Sequence, residues 1–311
     1  PGFVNLKIIV ASTSLLARPL ASAIKHNQNH ELVGIVTSQD KVFGRGLSVT
    51  SNPLAVWAKE EKILVFKPEN IHDFELLITT SKVDLIITIS YGQIITPRLL
   101  NLPKFGWLNV HFSVLPKFRG AAPVQRAILS GDKTTGVSVF KLDQGLDTGA
   151  VYKVLEVPLK VDTTTEDVLN ELSELGAGLA VETLNMISNG VLPTPQSEVG
   201  VSYAAKFNNA YGQIIWDSPS EHIYNLYRAL HHNPGVWTML GELRLKIEKL
   251  GPTIVNKTLK CGEVFIDTER LIVGTASGAI EILNLTPAGR VSMTASEFIR
   301  GLSTRTDLHL G

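Results

Sequence analysis

Cysteine is almost missing from this chain: 311 residues contain one, Cys261. A lone thiol excludes an internal disulfide and any cysteine-cluster metal site, and it suits a reducing compartment. Cys261 sits in Leu-Lys-Cys-Gly-Glu with no His or Asn beside it, so it reads as structural rather than nucleophilic. Long apolar runs are missing too. No stretch reaches the ~18–20 residues of a membrane span, and no charged, apolar, small-residue leader opens the chain. A cytoplasmic protein is expected on both grounds. The chain starts Pro1-Gly2 rather than Met, so a trimmed or replaced start is expected. Net charge is also absent, with 29 Lys and Arg against 29 Asp and Glu. The balance holds on either side of residue 206, so only a local basic patch could serve a nucleic acid. Phosphate and zinc motifs are lacking as well: there is no GxGxxG, no GxxxxGK[ST] and no HExxH. The first apolar run ends in Ala11-Ser-Thr-Ser without glycine, and Gly44-Arg45-Gly46 neither follows that run nor has the fingerprint order. Both features count against NAD.

What is present is alternation. Leu6–Val10, Glu31–Thr37, Ile63–Phe66, Trp107–Phe112, Gly136–Leu142 and Ala150–Val157 read as strands. Val83–Ile89 is an almost unbroken β-branched run, as for a strand buried on both faces. Between them, Leu15–Lys25, Pro53–Glu61, Ile71–Thr80, Pro123–Ser130 and Thr165–Asn189 read as helices, and the stretch from Thr37 to Asn52 as a polar loop. The pattern predicts an α/β domain, a doubly wound, mostly parallel Rossmann-like sheet, over residues 1–189. Residues 190–207 read as a linker. From 208 to 311 one helix, Ser220–His231, precedes short strands at Leu243–Leu250, Gly262–Asp267, Arg270–Thr275 and Ala279–Leu285. Short strands punctuated by glycine predict a smaller β-barrel domain.

One strand carries chemistry. In Trp107–Phe112, period-2 alternation puts Asn109 and His111 on one face and Leu108, Val110 and Phe112 on the other. A buried polar pair satisfied by nearby loops is the plain reading of those two residues. Their place at the carboxyl end of a strand, where ligands gather in open α/β sheets, points to a site. Asn offers N–H donors that never titrate, and a neighbouring carboxylate can turn His into a cation. Such a pair suits an oxyanion forming from a carbonyl. Pro116 fixes the Ser113-Val-Leu-Pro loop that leaves the strand. Asp143 and Asp147 flank Gly145 in Leu-Asp-Gln-Gly-Leu-Asp-Thr-Gly, and spacing alone does not choose between turn former and catalytic acid for either. His26 and His30 lie in a polar His-Asn-Gln-Asn-His segment and read as a solvated helix end.

Taken together, Asn109-Val-His-Phe-Ser-Val-Leu-Pro116, Gly120-Ala-Ala-Pro-Val-Gln-Arg-Ala-Ile128 and Leu142-Asp-Gln-Gly-Leu-Asp-Thr-Gly149 resemble the methionyl-tRNA formyltransferases. These form one branch of the 10-formyltetrahydrofolate-dependent transformylase family. The likeness runs over nearly the whole chain. Ser90-Tyr91-Gly92 resembles that branch's turn near the folate pocket, and Arg45 lies in its inserted loop. Arg228-Ala-Leu, Pro234-Gly-Val-Trp237 and Pro287-Ala-Gly-Arg290 resemble its C-terminal OB-like domain. Val114 replaces the usual Leu, Ala11-Ser-Thr-Ser-Leu replaces Gly-Thr-Pro-x-Phe, and the inserted loop is poor in lysine. The resemblance implies formyl transfer from 10-formyltetrahydrofolate, without a metal, to the α-amino group of initiator methionyl-tRNA. It implies Asn109, His111 and Asp147 as catalytic residues, Asp147 being chosen by the family pattern. It further implies Ser113, Val114, Leu115, Pro116, Tyr91 and Gly92 as the folate-binding residues and Arg45 as a tRNA contact. A monomer with no membrane partner is expected. The rival readings are a transformylase acting on another amine such as a sugar nucleotide, a non-catalytic RNA-binding protein, and an NAD-dependent oxidoreductase.

Overall fold

The computed structural model describes residues 4–43 and 48–311. They divide into two compact units, one of the described residues up to 123 with 134–158 and 169–204, the other of 124–133, 159–168 and 205–311. The first unit is built on nine strands: β1 (Lys7–Ala11), β2 (Glu31–Val36), β3 (Lys41–Phe43), β4 (Ser48–Thr50), β5 (Val65–Phe66), β6 (Leu85–Thr88), β7 (Trp107–His111), β8 (Thr134–Lys141) and β9 (Val151–Pro158). Seven form one sheet in the order β5-β2-β1-β6-β7-β8-β9. Strands β5 to β7 run parallel, while β7-β8 and β8-β9 pair antiparallel. The mostly parallel Rossmann-like sheet expected from the alternation is therefore present. The stretch from Thr37 to Asn52 differs from its reading as loop, because β3 and β4 pair antiparallel within it. Strands of three residues are too short to show a period.

Helices α1 (Arg18–Lys25), α2 (Pro53–Glu60), α3 (Ile71–Thr80), α4 (Pro97–Leu100), α5 (Pro123–Leu129) and α6 (Thr165–Ser188) alternate with these strands. Their starts follow from local chemistry. Asn52 caps α2 through Leu54 N–H, and Asn70 caps α3 through Asp73 N–H. Pro53 and Pro97 occupy the first turns of α2 and α4, where no N–H is needed. Ile9, Val36, Ile86 and Trp107 form the sheet core with Phe74, whose ring meets Trp107 edge-on at 5.5 Å. A Cβ on Gly176 would lie 2.8 Å from Val110 Cγ1, so glycine is what lets α6 lie close against the Val110 side of β7. Asn109 and His111, on alternate positions, take the other side of that strand.

The second unit holds α7 (Ser220–Leu230), α8 (Ala295–Arg300) and a sheet of β10 (Val236–Leu240), β11 (Leu243–Thr253), β12 (Val264–Asp267), β13 (Arg270–Gly274), β14 (Ala279–Pro287) and β15 (Met293–Thr294). The order is β10-β11-β14-β13-β12 with β15 on β14, and every pairing is antiparallel. The chain end fills the gap between the two edges. Met239 and Gly311 exchange backbone bonds of 3.0 and 3.1 Å, while Val264 donates to Leu308 and Leu310 donates to Gly262. Residues 308–311 thus tie β10 to the start of β12 and give the sheet a barrel-like closure. The closing bonds join segments far apart in the sequence, which no short-range pattern announces. Among the described residues no helix is long and apolar enough to cross a membrane.

Candidate active site

Strand β7 sets the first two side chains. It lies between β6 and β8, with Asn109 opposite Thr88 on one side and Phe140 on the other. Thr88 Oγ1 shares its one proton between Asn109 Oδ1 at 2.9 Å and the Leu108 carbonyl at 3.0 Å. The contact with Oδ1 fixes the amide so that Nδ2, a donor at every pH, is left for a ligand. Asn109 is half-buried, and His111 is 5% exposed with its ring against Phe140.

The His111 ring is held from its far end. Nε2 donates to the Phe118 carbonyl at 2.9 Å, and Nδ1 faces Asp147 Oδ2 at 3.6 Å. Burial pushes the imidazole pKa down, while the Asp147 charge and the Phe118 carbonyl push it back up; burial prevails. At rest the ring is therefore neutral, with its one proton on Nε2 and a bare Nδ1 toward the carboxylate. A separation of 3.6 Å is too long for a hydrogen bond. Once Nδ1 gains a proton, the same pair becomes a charge-assisted contact. This has a measurable consequence. The acid limb of kcat/KM for 10-formyltetrahydrofolate is expected below about pH 6.5, the ordinary imidazole value, because protonation at lower pH removes the base. In Asp147→Asn the upward push is lost and the limb should move lower still; a limb that stays in place contradicts this geometry.

The loop after β7 and the turn after β8 complete the site. Gly120 N–H donates to Asp147 Oδ2 at 2.7 Å, so the carboxylate is tied to the loop that also supplies the Phe118 carbonyl. Gly120 has φ +121°, and a Cβ there would sit 2.8 Å from the Ala204 carbonyl oxygen. Asp143 does something different. Its Oδ1 accepts from Gly145 N–H at 2.9 Å and from Thr148 Oγ1 at 2.7 Å, which closes the turn locally. Of the two acids left open by spacing, Asp143 builds the turn and Asp147 faces His111. Gly149 allows the turn to close, because a Cβ there would fall 1.7 Å from the Lys141 carbonyl oxygen.

The other residues singled out from the sequence are more scattered. Ser113 and Leu115 are buried; Ser113 Oγ donates to the Lys117 carbonyl at 2.6 Å, and Leu115 N–H donates to Ser138 Oγ at 3.0 Å. Val114 packs on Gly136, and Pro116 is half-buried. Tyr91 is buried, its hydroxyl pKa raised to about 12 by that burial. It lines a cavity of about 380 Å³ with Thr37, Asp40, Phe74 and Ile95, and that lining does not include the three polar residues of the site. Gly92 beside it is exposed, with φ +68°. Arg45 lies outside the described residues. Sequence reasoning missed Thr88, Ser138, the Phe118 carbonyl and the Gly120 N–H. Thr88 and Ser138, hydroxyls in the apolar Val83–Ile89 and Gly136–Leu142 runs, left a signal, and Gly120 stood in the family motif without its N–H being given a role. Among the described residues no three His, Cys, Asp or Glu side chains gather as a metal site.

Comparison with known proteins decides the family. The formyl transferase family model matches residues 5–184, and the formyl transferase C-terminal domain model matches 206–303. The chain belongs to the formyl transferase family. Relatives within it include a methionyl-tRNA formyltransferase of Rhodococcus erythropolis, 37% identical over 95% of this chain and 97% of that protein. Another, from Acidothermus cellulolyticus, is 36% identical over 95% and 97%. Among solved structures, HypX of Aquifex aeolicus in complex with tetrahydrofolic acid shares the fold at TM-score 0.70 and 18% identity. The match takes in 98% of this formyl transferase and 51% of HypX, so the chain spans about half the length of that protein. An N-formyltransferase of Helicobacter canadensis, solved with folinic acid and dTDP-3-aminofucose, shares it at TM-score 0.65 and 18% identity, over 90% and 99%.

Proposed function

We propose that this formyl transferase moves the formyl group of 10-formyltetrahydrofolate to the α-amino group of methionine on initiator tRNA, acting as a cytoplasmic monomer. The observation that carries the reading is Asn109 Nδ2, which bonds to no group among the described residues, on the same strand face as a neutral His111 whose Nδ1 is backed by Asp147. The donor set fits a carbonyl oxygen that becomes anionic. Asn109 Nδ2 donates to the formyl oxygen as the neutral amine attacks the carbon, strengthening as negative charge grows there. The amine nitrogen then holds one proton too many. His111 Nδ1 takes it, directly or through a water, and Asp147 stabilises the resulting imidazolium. That proton passes to N10 of the folate as the C–N10 bond breaks, which returns His111 to its neutral form. The loop from Ser113 to Pro116, with Tyr91 and Gly92, is assigned to the folate side.

The second unit supports an RNA acceptor by its surface chemistry. Arg244, Lys246 and Lys249 are exposed along β11 in a chain with no net charge; Lys246 pairs with Glu248 at 3.2 Å, so Arg244 and Lys249 carry the local basic character of the strand. Exposed Arg244 stacks on Trp237 at 4.1 Å, and half-buried Arg126 stacks on Phe207 at 3.9 Å; an exposed cation beside an aromatic ring, as at Arg244, suits a nucleic-acid strand. Arg45 is assigned to the acceptor end of the tRNA. Arg45→Ala is expected to raise KM for charged tRNA about tenfold or more, the loss of one charge-assisted contact, with KM for the folate unchanged. An unaltered KM for tRNA contradicts that assignment. The acceptor itself is tested by competition. With methionyl-tRNA and a dTDP-amino sugar offered together, label from [¹⁴C]formyl-tetrahydrofolate should appear on methionine; label on the sugar favours the rival transformylase.

A further inference from the structure

Residues 190–207 looked like a linker, yet one side chain in that stretch turns inward and uses every hydrogen-bonding valence it has. Gln196 Oε1 accepts from Arg119 Nε at 3.1 Å and from Arg119 Nη2 at 2.9 Å. Its Nε2 donates to the Asp147 carbonyl and to the Gly149 carbonyl, both at 2.8 Å. An amide offers two acceptor sites and two N–H donors, so this one is complete. Its segment is pinned before and after it. Thr194 exchanges backbone bonds of 2.8 and 2.9 Å with Val151, and Ser202 Oγ accepts from Phe118 N–H at 2.9 Å.

The two ends of the Gln196 amide reach the two segments that make the site. Arg119, 6% exposed, sits between Phe118, whose carbonyl holds His111 Nε2, and Gly120, whose N–H holds Asp147 Oδ2. Asp147 adopts φ +53°, a left-handed conformation uncommon outside glycine, and Gln196 holds its carbonyl together with that of Gly149 two residues on. Gly120 N–H holds the Asp147 carboxylate directly, and the two Gln196 bonds hold the backbone that carries it; without them the carboxylate keeps its Gly120 contact but loses the support of its main chain.

We propose that Gln196 is a positioning residue for formyl transfer, fixing the Asp147 turn against the loop that orients His111. This rests on the assignment of Asp147 and His111 as the proton-handling pair. Gln196→Leu keeps the bulk and removes all four bonds; Gln196→Glu keeps acceptors for Arg119 but removes both donors to the turn. Both variants are expected to lower kcat ~10–100-fold, the usual result of misplacing a catalytic group by about 1 Å. KM for 10-formyltetrahydrofolate should change less than threefold. In both variants the acid limb of kcat/KM for 10-formyltetrahydrofolate should move to lower pH, as expected for Asp147→Asn. The deciding measurement is a double-mutant cycle. In an Asp147→Asn background, Gln196→Glu should cost less than threefold, because there is no charge left to position. An equal loss in both backgrounds overturns the proposal, as does a lowered melting temperature with kcat and the pH limb unchanged. If Asp147→Asn alone keeps the wild-type rate, the assignment of the pair fails first. If Gln196→Leu does not fold, Gln196→Glu carries the same cycle.

Discussion

Asn109→Ala is expected to lower single-turnover formyl transfer ~100–1,000-fold, the usual cost of removing one oxyanion donor, with substrate KM values nearly unchanged. The expectation follows from what the side chain does in the folded protein. Its oxygen is occupied by Thr88 Oγ1, so its nitrogen is the donor for a ligand. A bond that strengthens only as charge develops on the formyl oxygen acts on kcat rather than on ground-state binding. Asn109 is half-buried and, among the described residues, makes one side-chain bond, so truncation should cost about 1 kcal/mol of stability, too little to unfold a chain of this size. A variant that melts near the wild type and keeps near-wild-type turnover would contradict the role given to Asn109.

Asp147→Ala is expected to lower kcat by at least ~100-fold, within the range for loss of acid–base assistance. Two effects are mixed in that variant. The carboxylate backs the His111 Nδ1 position and also accepts the Gly120 N–H at 2.7 Å. Asp147→Asn separates them, since an amide oxygen can still anchor Gly120 but carries no charge. If proton handling is the main role, Asn should be nearly as slow as Ala, and the acid limb should shift downward. If loop anchoring is the main role, Asn should restore most of the rate. The account expects the first result, because a bare Nδ1 that gains a proton in a buried site needs a fixed negative charge beside it.

Much of the architecture was legible because it is written in short-range periodicity. The β-branched run at Val83–Ile89 became a central strand, β6, and the alternation around Asn109 became β7 with its polar pair facing away from α6. What stayed hidden depends on contacts between distant segments. The choice between Asp143 and Asp147 is made by where a turn of eight residues aims its second acid, which spacing does not encode. The groups that orient His111 and Asp147 are a main-chain carbonyl and a main-chain N–H, and every residue type carries those. Gln196 is one of several polar residues in the stretch 190–207, and its meaning appears only when β9 pairs with Thr194 two residues before it. The barrel closure by residues 308–311 was hidden for the same reason.

The most direct test is transfer itself. Purified protein is incubated with [¹⁴C]formyl-tetrahydrofolate and initiator methionyl-tRNA, the tRNA is deacylated, and labelled N-formylmethionine is measured against time for the wild type and Asn109→Ala. The account predicts rapid labelling by the wild type and labelling ~100–1,000-fold slower by the variant. Release of formate with no labelled methionine, or equal labelling by the two proteins, would contradict it.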